Sequence, residues 1–92
     1  MDVTVENNRS AHRFQTEVDG FTAFIDYKLN GKTITLIHTK VPQELEGRGL
    51  GSKLVKAALD SAKNDGLKVI PECPFVASYI ERHESYADLV TG

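Results

Sequence analysis

The chain has 92 residues, of which 40% are hydrophobic and 26% are charged, and its formal net charge is -2. This size and composition predict one globular domain over residues 1–92 with a single hydrophobic core. The charge balance lacks the basic footprint of a nucleic-acid-binding protein. No apolar run approaches the ~20 residues of a membrane span, and a single cysteine excludes an internal disulfide. We therefore expect a cytoplasmic protein without a signal peptide, and neither nucleic acid nor a membrane as its partner.

Three strands are predicted in the first half of the chain. Residues 1–12 are polar and are expected to be partly frayed. Alternating apolar residues then predict strands over 13–18, 21–29 and 33–41. The dipeptide Asn30-Gly31 predicts a tight two-residue hairpin turn between the second and third of these strands.

The turn also predicts a register for this hairpin. If Asn30-Gly31 is the whole loop, Ala23 lies opposite His38. Directly opposed residues share a face of the sheet, so His38 is expected on the same face as Leu36. Both faces of the hairpin carry apolar residues, so helices are expected on both faces of the sheet.

The second half of the chain predicts a helix, a strand and a second helix. Apolar residues at helical spacing indicate a helix over 49–65, followed by a short strand over 68–71. Pro74 suits the first turn of a helix over 74–83. These elements predict an α+β fold, in which an antiparallel three-stranded sheet is extended by a βαβ unit whose last strand runs parallel to the third.

Between the third strand and the first helix lies the loop Glu46-Gly-Arg-Gly-Leu-Gly51. A glycine-rich turn that leads into a helix offers free backbone N–H groups and the positive end of the helix dipole. It therefore predicts a site for a phosphate or pyrophosphate. The loop is not a P-loop, because no Lys-Ser/Thr pair closes it, and a plain turn is the alternative interpretation.

This loop, together with His38-Thr39-x-Val41-Pro42 and Pro71-x-Cys73-Pro-Phe75, resembles the GNAT superfamily of acetyl-CoA-dependent acetyltransferases. The resemblance is closest to a small stand-alone group within that superfamily, and it extends over about residues 13–90. It implies a minimal GNAT-like fold and an acetyltransferase that moves an acetyl group to an amine.

The chain departs from the GNAT pattern in two places. Gly49 and Gly51 match the small positions of the family's pyrophosphate loop, but Glu46 stands where the family usually has Gln or Arg. In addition, only Asp19-Gly20 separates the first two predicted strands, where full-length members have helices that shape the acceptor site. The cofactor half is therefore expected to be present and the acceptor half largely missing.

The resemblance implies acetyl-CoA or coenzyme A as the small-molecule acyl donor. The residues expected to bind it are Thr39, Lys40, Val41, Gly47, Arg48, Gly49, Leu50, Gly51, Ser52, Pro74 and Phe75. No histidine pair has the spacing of a metal site, so no metal is expected.

Three residues are candidates for the chemistry of acetyl transfer. Cys73 precedes a helix whose dipole lowers the pKa of a thiol, which favours a nucleophile; the alternative is a small buried hydrophobe. His38 and Cys73 are expected near the carboxyl ends of neighbouring parallel strands, where His38 would serve as a general base or only as a core residue. The resemblance implies Tyr79 as the general acid, and a core aromatic is the alternative.

The main functional hypothesis is an acetyl-CoA-dependent N-acetyltransferase that transfers either directly to an amine or by way of Cys73. Its acceptor, a protein or a small amine, is not identified by the sequence. A coenzyme A-binding module without catalysis is the alternative, and a structural protein whose glycine loop is only a turn is a third hypothesis. A monomer or a weak dimer is expected.

Overall fold

The computed structural model describes residues 4–91, which form a five-stranded sheet and two α-helices. The elements are β1 (Glu6–Asn8), β2 (Arg13–Val18), β3 (Phe21–Asn30), β4 (Thr33–Lys40), a 3-10 helix (Gln43–Leu45), α1 (Leu50–Asn64), β5 (Lys68–Pro71), α2 (Pro74–Arg82) and a 3-10 helix (Glu84–Leu89). The strands stand in chain order across the sheet. Neighbours are antiparallel from β1 to β4, and β5 runs parallel to β4. The predicted α+β fold with its parallel βαβ unit is therefore confirmed.

The first strand, β1, lies within the stretch that was expected to fray. Its residues Glu6-Asn7-Asn8 have little intrinsic preference for a strand, and for that reason no sequence pattern predicts it. The strand forms by pairing with β2, and the hydroxyl of Tyr27 donates a hydrogen bond of 2.6 Å to Asn7 Oδ1. Residues 1–3 lie outside the described residues. Residues 9–12 alone connect β1 to β2.

Both helices lie on the same face of the sheet, so the expectation of helices on both faces is wrong. The buried residues of β3 alternate, and Phe24 and Asp26 on the opposite face are only partly buried. The buried residues of α1 and α2 belong to one core with the buried face of the sheet. β5 lies beside β4 in the sheet, and Val90 forms a parallel bridge with Val69 of β5. The two successive crossovers therefore advance across the sheet in the same direction. Right-handed crossovers in one direction place their helices on one face.

The turn between β3 and β4 differs from its prediction. Asn30 pairs with Thr33, so the loop consists of Gly31-Lys32 rather than Asn30-Gly31. Gly31 has a φ of 61°. Type II′ hairpin turns need a positive φ at the first loop position, which glycine usually occupies. The register is therefore shifted by two residues, a shift that leaves the residues near the turn on their predicted faces.

One extra residue in β4 changes the faces further along the strand. Leu36 pairs with Tyr27, but the next residue of β3, Asp26, pairs with His38, so Ile37 is left as a β-bulge. The expectation that His38 shares a face with Leu36 is therefore wrong. His38 lies on the sheet face that carries no helix, which we call the outer face.

The C-terminal 3-10 helix is held against α1 by one short hydrogen bond. The Tyr86 hydroxyl donates to Asp60 Oδ1 at 2.6 Å. This bond, with burial, raises the pKa of Tyr86 to about 12. Burial raises the pKa of Asp60, but the hydrogen bonds from Tyr86 and Lys56 outweigh it and hold that pKa below its ordinary value.

We predict that Tyr86→Phe lowers the free energy of unfolding by about 1 kcal/mol near neutral pH, because it removes this hydrogen bond. Since the Tyr86 pKa is raised from 10.0 to about 12 in the folded state, its stabilisation is complete below about pH 10 and declines as the pH rises towards 12. Urea denaturation of both proteins should show a constant stability gap at neutral pH that narrows above about pH 10. A gap that widens there would contradict the assignment.

Candidate functional site

The site lies where β4 and β5 separate. Their pairing ends at Leu36 and Pro71. One backbone hydrogen bond follows, from the amide of Cys73 to the Leu36 carbonyl at 3.0 Å. β4 continues to Lys40 without a strand beside it on this edge within residues 4–91. The carboxyl ends of separating parallel strands form the crevice in which α/β sheets bind ligands.

The loop after β4 enters α1 with unpaired backbone donors. Gly47 and Gly49 have φ values of 84° and 72°, a conformation that glycine adopts at no steric cost. The amide of Lys53 donates to the Gly49 carbonyl at 3.2 Å. In the part of the chain that the structure describes, no backbone carbonyl accepts from the amides of residues 47–52. These amides are therefore available to an anion at the positive end of the helix.

The same residues border a cleft of about 270 Å³. It is lined by Val41, Leu45, Glu46, Gly47, Gly49, Leu50, Gly51, Ser52 and Phe75. Leu45 is a lining residue that the sequence analysis missed, and its only signal is an apolar side chain in an otherwise polar loop. Thus the structure brings most of the residues predicted for the cofactor to one cleft.

Phe75 packs directly against the start of α1. A Cβ atom on Gly51 would lie 2.9 Å from Cζ of the Phe75 ring, so glycine allows the ring to rest on the helix backbone. Phe75 keeps 38% of its surface exposed. Pro74 is the exposed first residue of α2 and lies beside the cleft rather than among its lining residues.

Cys73 is buried at the residue that precedes α2. Its Sγ atom lies 3.4 Å from Thr39 Oγ1, a hydrogen bond in which either group can donate. Burial raises the pKa of the Cys73 thiol, but the Thr39 hydroxyl and the nearby amides of Val76, Phe75 and Thr39 outweigh it, so the pKa lies below its ordinary value. The Cys73 side chain makes no capping hydrogen bond at the start of α2. The thiolate is the reactive form of cysteine.

The structure does not bring His38 to Cys73. His38 is exposed on the outer face, where it pairs with Asp26 of β3. The centroid of its ring lies 6.5 Å from that of the Phe24 ring. Thr39 lies on the opposite face, next to the thiol. The prediction of His38 as a general base required it to lie close to Cys73, and the structure does not place it there. The exposed Lys40 side chain shares the outer face as the partner of Phe24, so only its backbone borders the separated edge.

Tyr79 lies in an aromatic cluster away from the thiol. Its ring stacks on His83 at 3.9 Å and lies 6.2 Å from Tyr86. It follows Cys73 by six residues, about 9 Å along a helix. This environment favours the core interpretation of Tyr79, and no contact supports it as a general acid.

Arg48 is held at the rim of the loop. Its guanidinium donates to Asp19 Oδ2 at 2.9 Å, and both side chains are largely solvent-accessible. An exposed ion pair of this kind contributes little stability. It nevertheless places a positive charge beside the unpaired amides, and the contact with the β2–β3 turn was not predicted.

Residues 4–91 contain neither a candidate metal site nor a candidate membrane-spanning helix. No group of three or more His, Cys, Asp or Glu residues has an arrangement suited to a metal ion. Neither described helix has the length and apolar character needed to span a membrane.

Comparison with known proteins agrees with this architecture. A family model described as GCN5-related N-acetyl-transferase matches residues 13–89. Protein NATD1 of Homo sapiens is 33% identical over 84 residues, which are 88% of this chain and 74% of the relative. Protein NATD1 of Xenopus tropicalis is 32% identical, with 88% and 77% covered. The solution NMR structure of a GCN5-like putative N-acetyltransferase from Staphylococcus aureus superposes with a TM-score of 0.74 at 32% identity, with 97% of this chain and 88% of that chain covered.

The fold and the cleft therefore define an acetyltransferase-like domain of the GNAT type. The chain belongs to the GCN5-related N-acetyltransferase family.

We predict that Gly51→Ala and Phe75→Ala are energetically coupled, because the new methyl group displaces the Phe75 ring. Alanine is the better helix former by about 1 kcal/mol. The gain in free energy of unfolding from Gly51→Ala should be cancelled in the wild-type background, where the Phe75 ring is displaced. It should be recovered in the Phe75→Ala background. Urea denaturation of the four proteins measures the coupling, and NMR of the Phe75 ring protons should report its displacement. Equal gains in both backgrounds would show that the ring does not contact residue 51.

Proposed function

We propose that the chain is an N-acetyltransferase that binds acetyl-CoA in the cleft between β4 and the start of α1. The observation that carries this proposal is the set of unpaired amides at residues 47–52, which border the cleft. The Cys73 thiol, whose pKa is lowered, does not line this cleft but lies two residues before Phe75, which does. Membership of the GCN5-related family supports the proposal independently.

The lining of the cleft suits a ligand with one negatively charged segment and one apolar segment. The amides of residues 47–52 and the dipole of α1 would bind the pyrophosphate. The backbone of residues 39–41 lies on the edge that β5 leaves, and would pair with the amides of the pantetheine arm. Leu45 and Phe75 would cover the apolar parts of that arm.

In the proposed reaction the Cys73 thiolate carries the acetyl group. Acetyl-CoA supplies an acetyl group activated as a thioester. The Cys73 Sγ atom attacks the carbonyl carbon, forms a new S–C bond and displaces the coenzyme A thiolate, which takes up a proton. A neutral amine then attacks this carbon, the N–C bond forms, the bond to Sγ breaks, and the amine loses a proton. Thr39 and the α2 amides stabilise Cys73 Sγ as nucleophile and as leaving group.

A non-catalytic coenzyme A-binding module is the second candidate. One observation favours it. The first two predicted strands are β2 and β3, which only Asp19-Gly20 separates, and residues 9–12 are the whole connection from the additional strand β1 to β2. Neither connection in the described chain holds a counterpart of the helices that shape the acceptor site in larger GNAT proteins. Such a module would bind acetyl-CoA and leave the acetyl group in place.

We predict that Glu46→Gln strengthens acetyl-CoA binding about threefold at low salt, because it removes a negative charge that lines the cleft. NMR titration should show amide shifts at residues 47–52 in both proteins. Glu44→Gln is the matched control, since Glu44 is exposed but does not line the cleft. Absence of shifts at 47–52 at millimolar acetyl-CoA would refute the proposed binding site.

We predict that incubation with acetyl-CoA adds one acetyl group to the wild-type chain and none to Cys73→Ser, as measured by intact mass. The chain has one cysteine, so no other thiol obscures the result. Binding without an adduct, and without transfer to a panel of lysine peptides and polyamines, would favour the non-catalytic module. Transfer that survives in Cys73→Ser would identify direct attack by the amine.

A further inference from the structure

Thr39 is the side chain that β4 presents to the thiol. Its Oγ1 atom lies 3.4 Å from Cys73 Sγ, whereas the sequence predicted Thr39 only as one of the residues that bind the cofactor. Thr39 pairs with Ile25, which is fully buried. The hydroxyl is therefore on the helix-covered face of the sheet, where a partly buried side chain meets a buried thiol.

The β-bulge at Ile37 places Thr39 there. Without the extra residue, the alternation of the strand would put His38 on the face of Leu36 and would turn Thr39 to the outer face. Bulges beside active sites commonly redirect a side chain in this way. The bulge therefore exchanges an imidazole for a hydroxyl as the neighbour of Cys73.

We propose that Thr39 is a positioning residue for Cys73: its hydroxyl donates a hydrogen bond to Sγ, orients the sulfur and stabilises the thiolate. The catalytic meaning of this role depends on the proposed function, in which Cys73 carries the acetyl group. The role itself concerns only the protonation of the thiol. It is therefore measurable without acetyl-CoA.

Charged side chains do not account for the state of this thiol. Within residues 4–91, the groups that lower the pKa of Cys73 against burial are the Thr39 hydroxyl and backbone amides. Glu72, the preceding residue, is exposed, and its charge would oppose a thiolate. His38 and Lys40 flank Thr39 in the strand and lie on the outer face. The Thr39 hydroxyl is thus the one side-chain hydrogen-bond partner of the sulfur in the described structure.

The test measures the rate of Cys73 alkylation by iodoacetamide as a function of pH. Thr39→Val keeps the shape of the side chain and removes the donor. A hydrogen bond to a charged group is worth enough to move a pKa by about one unit. We expect the thiol pKa to rise by about one unit in Thr39→Val, with alkylation about tenfold slower at pH values below the wild-type pKa. Thr39→Ser keeps the donor and should follow the wild-type profile.

Thr35→Val is the matched control, because Thr35 lies on the same strand but on the outer face. Its alkylation profile should equal that of the wild type. If Thr39→Val does not fold, as judged by its amide NMR spectrum, Thr39→Ala provides the same measurement without added methyl bulk. A folded Thr39→Val or Thr39→Ala with the wild-type profile would overturn the proposal. So would a Thr39→Ser profile equal to that of the folded donor-free variant.

The two proposals fail in distinguishable ways. If Thr39 variants shift the alkylation profile but the wild-type chain takes up no acetyl group, the positioning role stands and the acetyl-transfer route fails. If the chain is acetylated at Cys73 but the profile is unmoved by Thr39→Val, the acetyl-transfer route stands and Thr39 has no role in it.

Discussion

The arrangement of the site depends on the path of β4 after Leu36. At that residue the strand loses its neighbour β5, and one residue later it takes an extra residue as a bulge. The first event exposes a backbone edge beside the glycine loop. The second decides which side chains face the thiol. Together these two irregularities set the end of the strand, from which the chain enters the cleft at Val41.

The single layer of helices explains how a short chain forms this cleft. Both crossovers run in one direction, so α1 and α2 lie side by side on one face and their N-terminal ends converge beside the separated strands. One helix end presents unpaired amides and the other presents Cys73. The outer face receives no helix from the described residues.

Much of the fold was predictable because strong local signals agree with the tertiary structure. The strands over 13–18 and 68–71 have the predicted bounds, and α1 begins and ends within one residue of its prediction. The sequence predicted that the glycine loop and Phe75 share one site, and both line the cleft. β1 was not predicted, because its polar residues form a strand only through pairing with β2.

The sequence by itself determined the order of elements, the glycine-rich entry into α1 at residues 47–52 and the position of Cys73 before a helix. These features are local, since each depends on a few neighbouring residues with defined conformational preferences. Only the tertiary structure decided that His38 leaves the site and Thr39 enters it. That outcome depends on a bulge set by the pairing of β3 with β4, and pairing between strands is a property of two segments together that neither segment encodes alone.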